Sequence, residues 1–113
     1  MKRSVRVLRR AQTDLLEIQA YVARDNPEAA EVLVNAILDL LHSLGALPER
    51  GAIPKDAHLR QAGYRYVQHG EYLIFYKVLR SQVRVYRILH GRRREAAVAL
   101  PEESRTQSGS KVY

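Results

Sequence analysis

Catalysis and metal binding need particular side chains at particular spacings, and most of those spacings are missing here. The four histidines, His42, His58, His69 and His90, fit neither H-E-x-x-H nor any other metal-ligand spacing. There is no cysteine, hence no thiolate nucleophile, no cysteine-based zinc site and no disulfide framework. The glycines are scattered singly, so there is neither a phosphate-cradling loop nor a dinucleotide fingerprint, and no serine lies in a G-x-S-x-G context. Asp14 and Glu17 stand three apart and could share a helix face as a carboxylate pair. Acid–base work would need a raised pKa on one of them, and on an acidic helix surface both are expected to be solvated. No metal and no cofactor are expected.

What the sequence offers in quantity is guanidinium. Fifteen of its nineteen basic residues are Arg, whose planar fork pairs with carboxylates and phosphates. The charge is also segregated: residues 1–13 carry +5, residues 14–49 carry −6 and residues 50–113 carry +8, within a total of +7. A basic second half implies an acidic partner, either nucleic acid or an acidic protein segment.

The elements that position these groups can be read from periodicity. At 113 residues the chain has room for one domain, expected over 1–100. Residues 4–8 alternate and suit a first strand. Residues 10–24 place Ala11, Leu15, Ile18 and Val22 on one helical stripe. Asn26 and Pro27 are a good N-cap and first residue for a second helix, with Glu28 and Glu31 beside its positive end. Its stripe runs from Ala30 to Leu44, and Gly45 is expected to end it in the left-handed conformation. Residues 46–63, with Pro48, Gly51, Pro54 and Gly63, read as a loop. Three strands should follow, at 64–68, 71–79 and 83–90, as an antiparallel meander with His69-Gly70 in its first turn. Pairing Leu79 with Gln82 would put Val78–Val83, Tyr76–Val85, Ile74–Arg87 and Tyr72–Leu89 on one face, and Lys77–Arg84, Phe75–Tyr86 and Leu73–Ile88 on the other. One face should lie under the helices while the other shows aromatic and basic groups to a partner. The tail 101–113 lacks apolar periodicity and is expected to be flexible. The fold class is α+β, in the order βααβββ.

An aromatic strand Y-L-I-F-Y (72–76), then a strand ending L-H-G-R-R (89–93), resembles the ParE/RelE toxin superfamily of type II toxin–antitoxin modules, closer to its ParE branch. Ala11, Asp14, Leu15 and Ile18, then Tyr21, Pro27, the long helix and L-P-E-R-G (47–51) agree, so the resemblance covers about residues 4–100. It implies the family's βααβββ fold and a toxin neutralised by a cognate antitoxin with an acidic, partly disordered C-terminal segment. RelE-like members are ribosome-dependent messenger RNA endonucleases. For that reading Lys55, Arg60, Arg65 and Arg93 would supply positive charge, but the position at the start of the aromatic strand falls near Leu73 and a required Tyr falls on Ala99. ParE-like members instead poison DNA gyrase by protein contact. The resemblance then makes Arg65, Arg87, His90, Arg92, Arg93 and Arg94 candidates for contact with target or antitoxin. A third possibility is a degenerate member that only binds its partner or DNA.

No window approaches about 18 uninterrupted apolar residues, and MKRSVRVLRR has no apolar stretch behind its charge for a signal peptide. The expectation is a cytoplasmic protein without a membrane partner.

Overall fold

The computed structural model describes residues 2–91 in full and the backbone of 111–112. The elements are β1 (Ser4–Val7), α1 (Arg9–Ala23), α2 (Pro27–Ala46), α3 (Ala57–Gln61), β2 (Tyr64–His69), β3 (Tyr72–Val78), β4 (Gln82–His90) and β5 (Lys111–Val112). The strands form one sheet in the order β2-β3-β4-β1-β5, α+β as expected. β1 runs parallel to β4, from Ser4 opposite Gln82 to Val7 opposite Val85, and the α1–α2 hairpin carries the chain from β1 across the sheet towards β2. Within the expected tail, β5 pairs antiparallel with β1 at Arg6 and Val7.

Local chemistry sets the helix ends. The Asn26 carboxamide accepts from the Ala29 N–H at 3.0 Å, and Pro27 opens α2. Gly45 does not end α2 in the left-handed region as expected. Positive φ occurs only at Gly63 and Gly70 among the described residues, and α2 continues to Ala46. Gly45 is there because β1 passes over it. The Arg3 N–H donates to its carbonyl at 2.8 Å, and a Cβ would run into the Arg3 carbonyl. The expected loop 46–63 also holds α3, a five-residue helix capped by the Asp56 carboxylate on the Leu59 N–H at 3.0 Å. A single turn is too short to show a helical period.

The β2–β3 turn closes from His69 to Tyr72 around Gly70, whose φ is +59°. The β3–β4 hairpin follows the expected register through Val78–Val83, Lys77–Arg84 and Tyr76–Val85. Tyr86 then intrudes as an extra residue, and Ile74 faces Ile88 and Tyr72 faces His90, in place of the expected Arg87 and Leu89. The bulge has a clear physical reason. It sets Ile88 against Ile74 under the helices and Leu89 against Leu73 on the other side, where regular pairing would drive Arg87 into the helix-facing core.

Both faces of the sheet are buried. Val5, Val7, Ile74, Tyr76, Val83, Val85 and Ile88 pack under Ala11, Leu15, Ile37, Leu41 and Leu44 of the hairpin. The second face was expected to display its aromatic groups. Instead Tyr64, Leu73, Phe75, Tyr86 and Leu89 form another core cluster with Leu8 and with Leu59 of α3. α2 is long and apolar enough to cross a membrane by length and composition, but Ile37, Leu41 and Leu44 on its stripe are fully buried against the sheet.

The L-P-E-R-G segment is tied to this core by one phenol. Tyr76 is fully buried; its hydroxyl donates to the Pro48 carbonyl at 2.8 Å and accepts from the Gly51 N–H at 2.9 Å. A Cβ on Gly51 would stand 2.7 Å from the Tyr66 carbonyl oxygen and closer still to the Tyr76 hydroxyl. Gly51→Ala should therefore be destabilising, because the loop must lift off the sheet to make room. Tyr76→Phe leaves the Gly51 N–H without its acceptor and should cost about 1–3 kcal/mol in urea unfolding at pH 8. Burial raises the Tyr76 pKa from its ordinary value of 10.0. The folded chain therefore keeps a proton that the unfolded chain releases. Stability from this group is intact below pH 10 and is lost as pH rises from there towards the raised value. The gap between wild type and Tyr76→Phe should narrow above pH 10; a gap constant from pH 8 to 11 would remove Tyr76 from the alkaline transition.

Candidate functional site

β1 has four residues and β4 has nine, so β1 covers only the first part of the β4 edge. The last contact of β1's line is the Leu8 N–H donating to the Val85 carbonyl at 3.0 Å, after which the chain turns into α1. From there Asp14 of α1 takes over. One carboxylate oxygen accepts from the Ile88 N–H at 2.9 Å and from Arg87 Nε at 2.8 Å, and the other accepts from an Arg87 terminal nitrogen at 3.0 Å. Asp14 is 4% exposed and Arg87 9%. Asp14 is thus not the solvated helix-surface acid expected from its neighbours. Nor does it form a catalytic pair with Glu17, which stays exposed while both Asp14 oxygens are occupied. Arg10, one turn back, reaches the same carboxylate from the solvent side at 3.7 Å.

The predicted site residues divide into groups. Arg87 and His90 line one cleft at the end of β4. His90 Nε2 lies 2.6 Å from the Glu71 carboxylate, with its ring edge-on to Tyr72. Arg60 and Arg65 lie elsewhere and serve the backbone: Arg60 donates to the Lys55 carbonyl at 2.8 Å, and Arg65 donates to the carbonyls of Gly51 at 3.0 Å and Glu49 at 3.4 Å. Leu73 is 3% exposed in the second core cluster. Arg92, Arg93, Arg94 and Ala99 lie outside the described residues.

One cationic feature is visible only in the assembled sheet. Tyr64 faces Lys77, Lys77 faces Arg84 and Arg84 faces Arg6, a single row across four strands. Val83, Val85, Val5 and Val7 point to the helices, so Arg84 and Arg6 point to the opposite face with Lys77. The Lys77 ammonium sits 4.7 Å from the Tyr64 ring centroid and 5.2 Å from that of Tyr86, over two buried rings. The pairing of Lys77 with Arg84 follows from the hairpin register. Arg6 joins them only because β1 runs parallel to β4, which a meander does not imply. Strands lie about 4.8 Å apart, so the row brings three cationic residues close together.

The Asp14 arrangement makes a specific demand on stability. Asp14→Ala removes the acceptor of a buried N–H and of a buried guanidinium together, and should cost about 3–5 kcal/mol in urea unfolding. Asp14→Ala with Arg87→Met should recover part of that loss but not all, because the Ile88 N–H stays unpaired. Full recovery would assign the whole effect to the ion pair.

A family model described as the ParE toxin of a type II toxin–antitoxin system, parDE, matches residues 5–95. Among solved structures, the chain is similar to one titled "Chromosomal ParDE TA system from P. aeruginosa", with a TM-score of 0.64 and 22% identity over 79% of this chain and 96% of that one. At that identity the likeness speaks to the fold alone. No curated protein matches the sequence. The family match spans nearly all of the described domain, and the chain belongs to the ParE toxin family of type II toxin–antitoxin systems.

Proposed function

We propose that this ParE-type toxin acts in the cytoplasm by binding and inhibiting DNA gyrase, with no chemistry of its own. The observation that carries this reading is the fate of the residues a ribonuclease would need. The position where that activity calls for an Arg at the start of the aromatic strand falls near Leu73, which is buried in the second core cluster. Arg60 and Arg65 each direct one terminal guanidinium nitrogen at loop carbonyls. A cleaving site needs such groups aimed at a phosphate.

The antitoxin would present an acidic C-terminal segment, partly disordered until it binds. The Lys77–Arg84–Arg6 row is the surface whose charge fits it. Carboxylates along an extended segment could reach successive strands of the row, and Arg92, Arg93 and Arg94 add positive charge just after β4 in the sequence.

The direct test is a DNA gyrase supercoiling reaction with purified toxin. Lost supercoiling with accumulating cleaved DNA, reversed by an antitoxin, is the expected outcome. Intact supercoiling, together with messenger RNA cleavage on ribosomes that Arg93→Ala abolishes, would overturn the proposal in favour of the endonuclease. For the antitoxin contact, Arg6→Gln with Lys77→Gln should slow association with a cognate antitoxin several-fold at low salt and flatten its salt dependence. Unchanged association would place the acidic segment on another surface.

A further inference from the structure

The second core cluster is buried more completely than the described chain over it can account for. Phe75 is 1% exposed, Leu73 3% and Leu89 7%. A sheet face with nothing packed on it leaves such side chains in contact with water. On this face the described residues contribute Leu8, just ahead of α1, and Leu59 of α3, which packs against β2. Two side chains are too few to cover two leucines and the rings of Tyr64, Phe75 and Tyr86. Lys77 adds its ammonium over Tyr64 and Tyr86, which leaves Leu73, Phe75 and Leu89 still to be covered.

We infer that residues 96–100, Ala-Ala-Val-Ala-Leu, complete this core by packing on the aromatic face of their own molecule. The path of the chain supports that occupant. Gly91, at the end of β4, stands against Leu73: an added Cβ would meet a Leu73 methyl at 4.0 Å. The chain is next placed at β5, on the outer edge of β1 beside Arg6 and Val7. Between those points it must pass both β4 and β1. On the helix side that route is filled, because the α1–α2 hairpin packs directly on Val5, Val7, Val83, Val85 and Ile88. The crossing is about 20 Å along β4 and about 10 Å across two strand spacings. Residues 92–110 are long enough to pack along it without being stretched. Within them, Ala96 to Leu100 is the one uninterrupted apolar run, set between Arg92-Arg93-Arg94-Glu95 and Pro101-Glu102-Glu103. Burying that run on the cluster removes apolar surface from water on both sides of the contact. The run lies beyond residue 95, where the family match ends. The aromatic face is then interior in the free toxin, and a partner meets its cationic rim and not its rings. This holds whichever protein the toxin inhibits.

The test is NMR on the full-length toxin. Phe75 is the only phenylalanine, so its ring signals are unambiguous. Nuclear Overhauser contacts are expected from that ring and from Leu73 or Leu89 to the methyls of Val98 and Leu100. In a mixture of labelled and unlabelled chains these contacts should be absent between molecules; finding them there would give the face to a second copy. Val98→Asp with Leu100→Asp in the full chain should uncover the rings. Fluorescence of the dye ANS should rise several-fold and the Phe75 signals should move, while the Ile74 and Ile88 methyls under the helices keep their positions. Contacts from Val98 and Leu100 to the helical hairpin, no contact to the second cluster, or wild-type dye binding by the Asp variant would each overturn the inference. Where that variant fails to fold, the wild-type contacts alone decide between these outcomes.

Discussion

The fold turns on one edge of one strand. β4 is the centre of the described sheet, and beyond Val85 it has no neighbouring strand on the β1 side among the described residues. A backbone N–H buried there must find an acceptor. Asp14 provides it for Ile88 and engages Arg87 at the same time. These two roles have different energetics. A buried ion pair gains little over a well-packed apolar pair, because desolvation offsets the attraction. No apolar residue can accept from an N–H, however, so the backbone contact is the part that cannot be substituted away. It also fixes the position of α1 along β4, and through α1 the hairpin that covers the helix-facing core.

The same edge accounts for the bulge at Tyr86. With Arg87 drawn to Asp14, regular alternation would put either Arg87 or its neighbours on the wrong side of the sheet. One extra residue resolves this by restoring Ile88 to the helices and Leu89 to the opposite cluster. The opposite face is therefore a second core rather than an open aromatic platform. Its polar character is confined to a rim, where Lys77 lies over Tyr64 and Tyr86 and leads into Arg84 and Arg6.

Much of this was legible in the sequence, and the misses share a cause. Helix stripes, the Asn26-Pro27 start and the first three pairs of the β3–β4 hairpin are local signals set by residues a few positions apart. The parallel β1–β4 pairing joins residues 78 positions apart, and nothing local encodes it. The Asp14–Arg87 contact spans 73 positions, so Asp14 looked like any other acid on an acidic helix. Arg87 stood among the candidates for contact with target or antitoxin, and its guanidinium is held in the interior by the Asp14 carboxylate. Arg60 and Arg65 were candidates through the resemblance to the ribonuclease branch, and sequence cannot show that each turns a guanidinium nitrogen to a loop carbonyl.

The segregation of charge takes on a spatial meaning once the sheet is assembled. The hairpin, residues 9–46, holds six acidic residues against three basic ones, while the far face of the sheet carries the Lys77–Arg84–Arg6 row. An acidic segment of the kind proposed for the antitoxin would be repelled by one side of the domain and attracted by the other, which would orient it before contact. Exposed charges separated by more than about 8 Å are largely screened at physiological salt, so this preference acts on encounter more than on the final affinity. The lasting contacts must then come from groups at short range. The buried rings beneath Lys77 suit that role on the sheet face, because they hold the cation in place before a partner arrives.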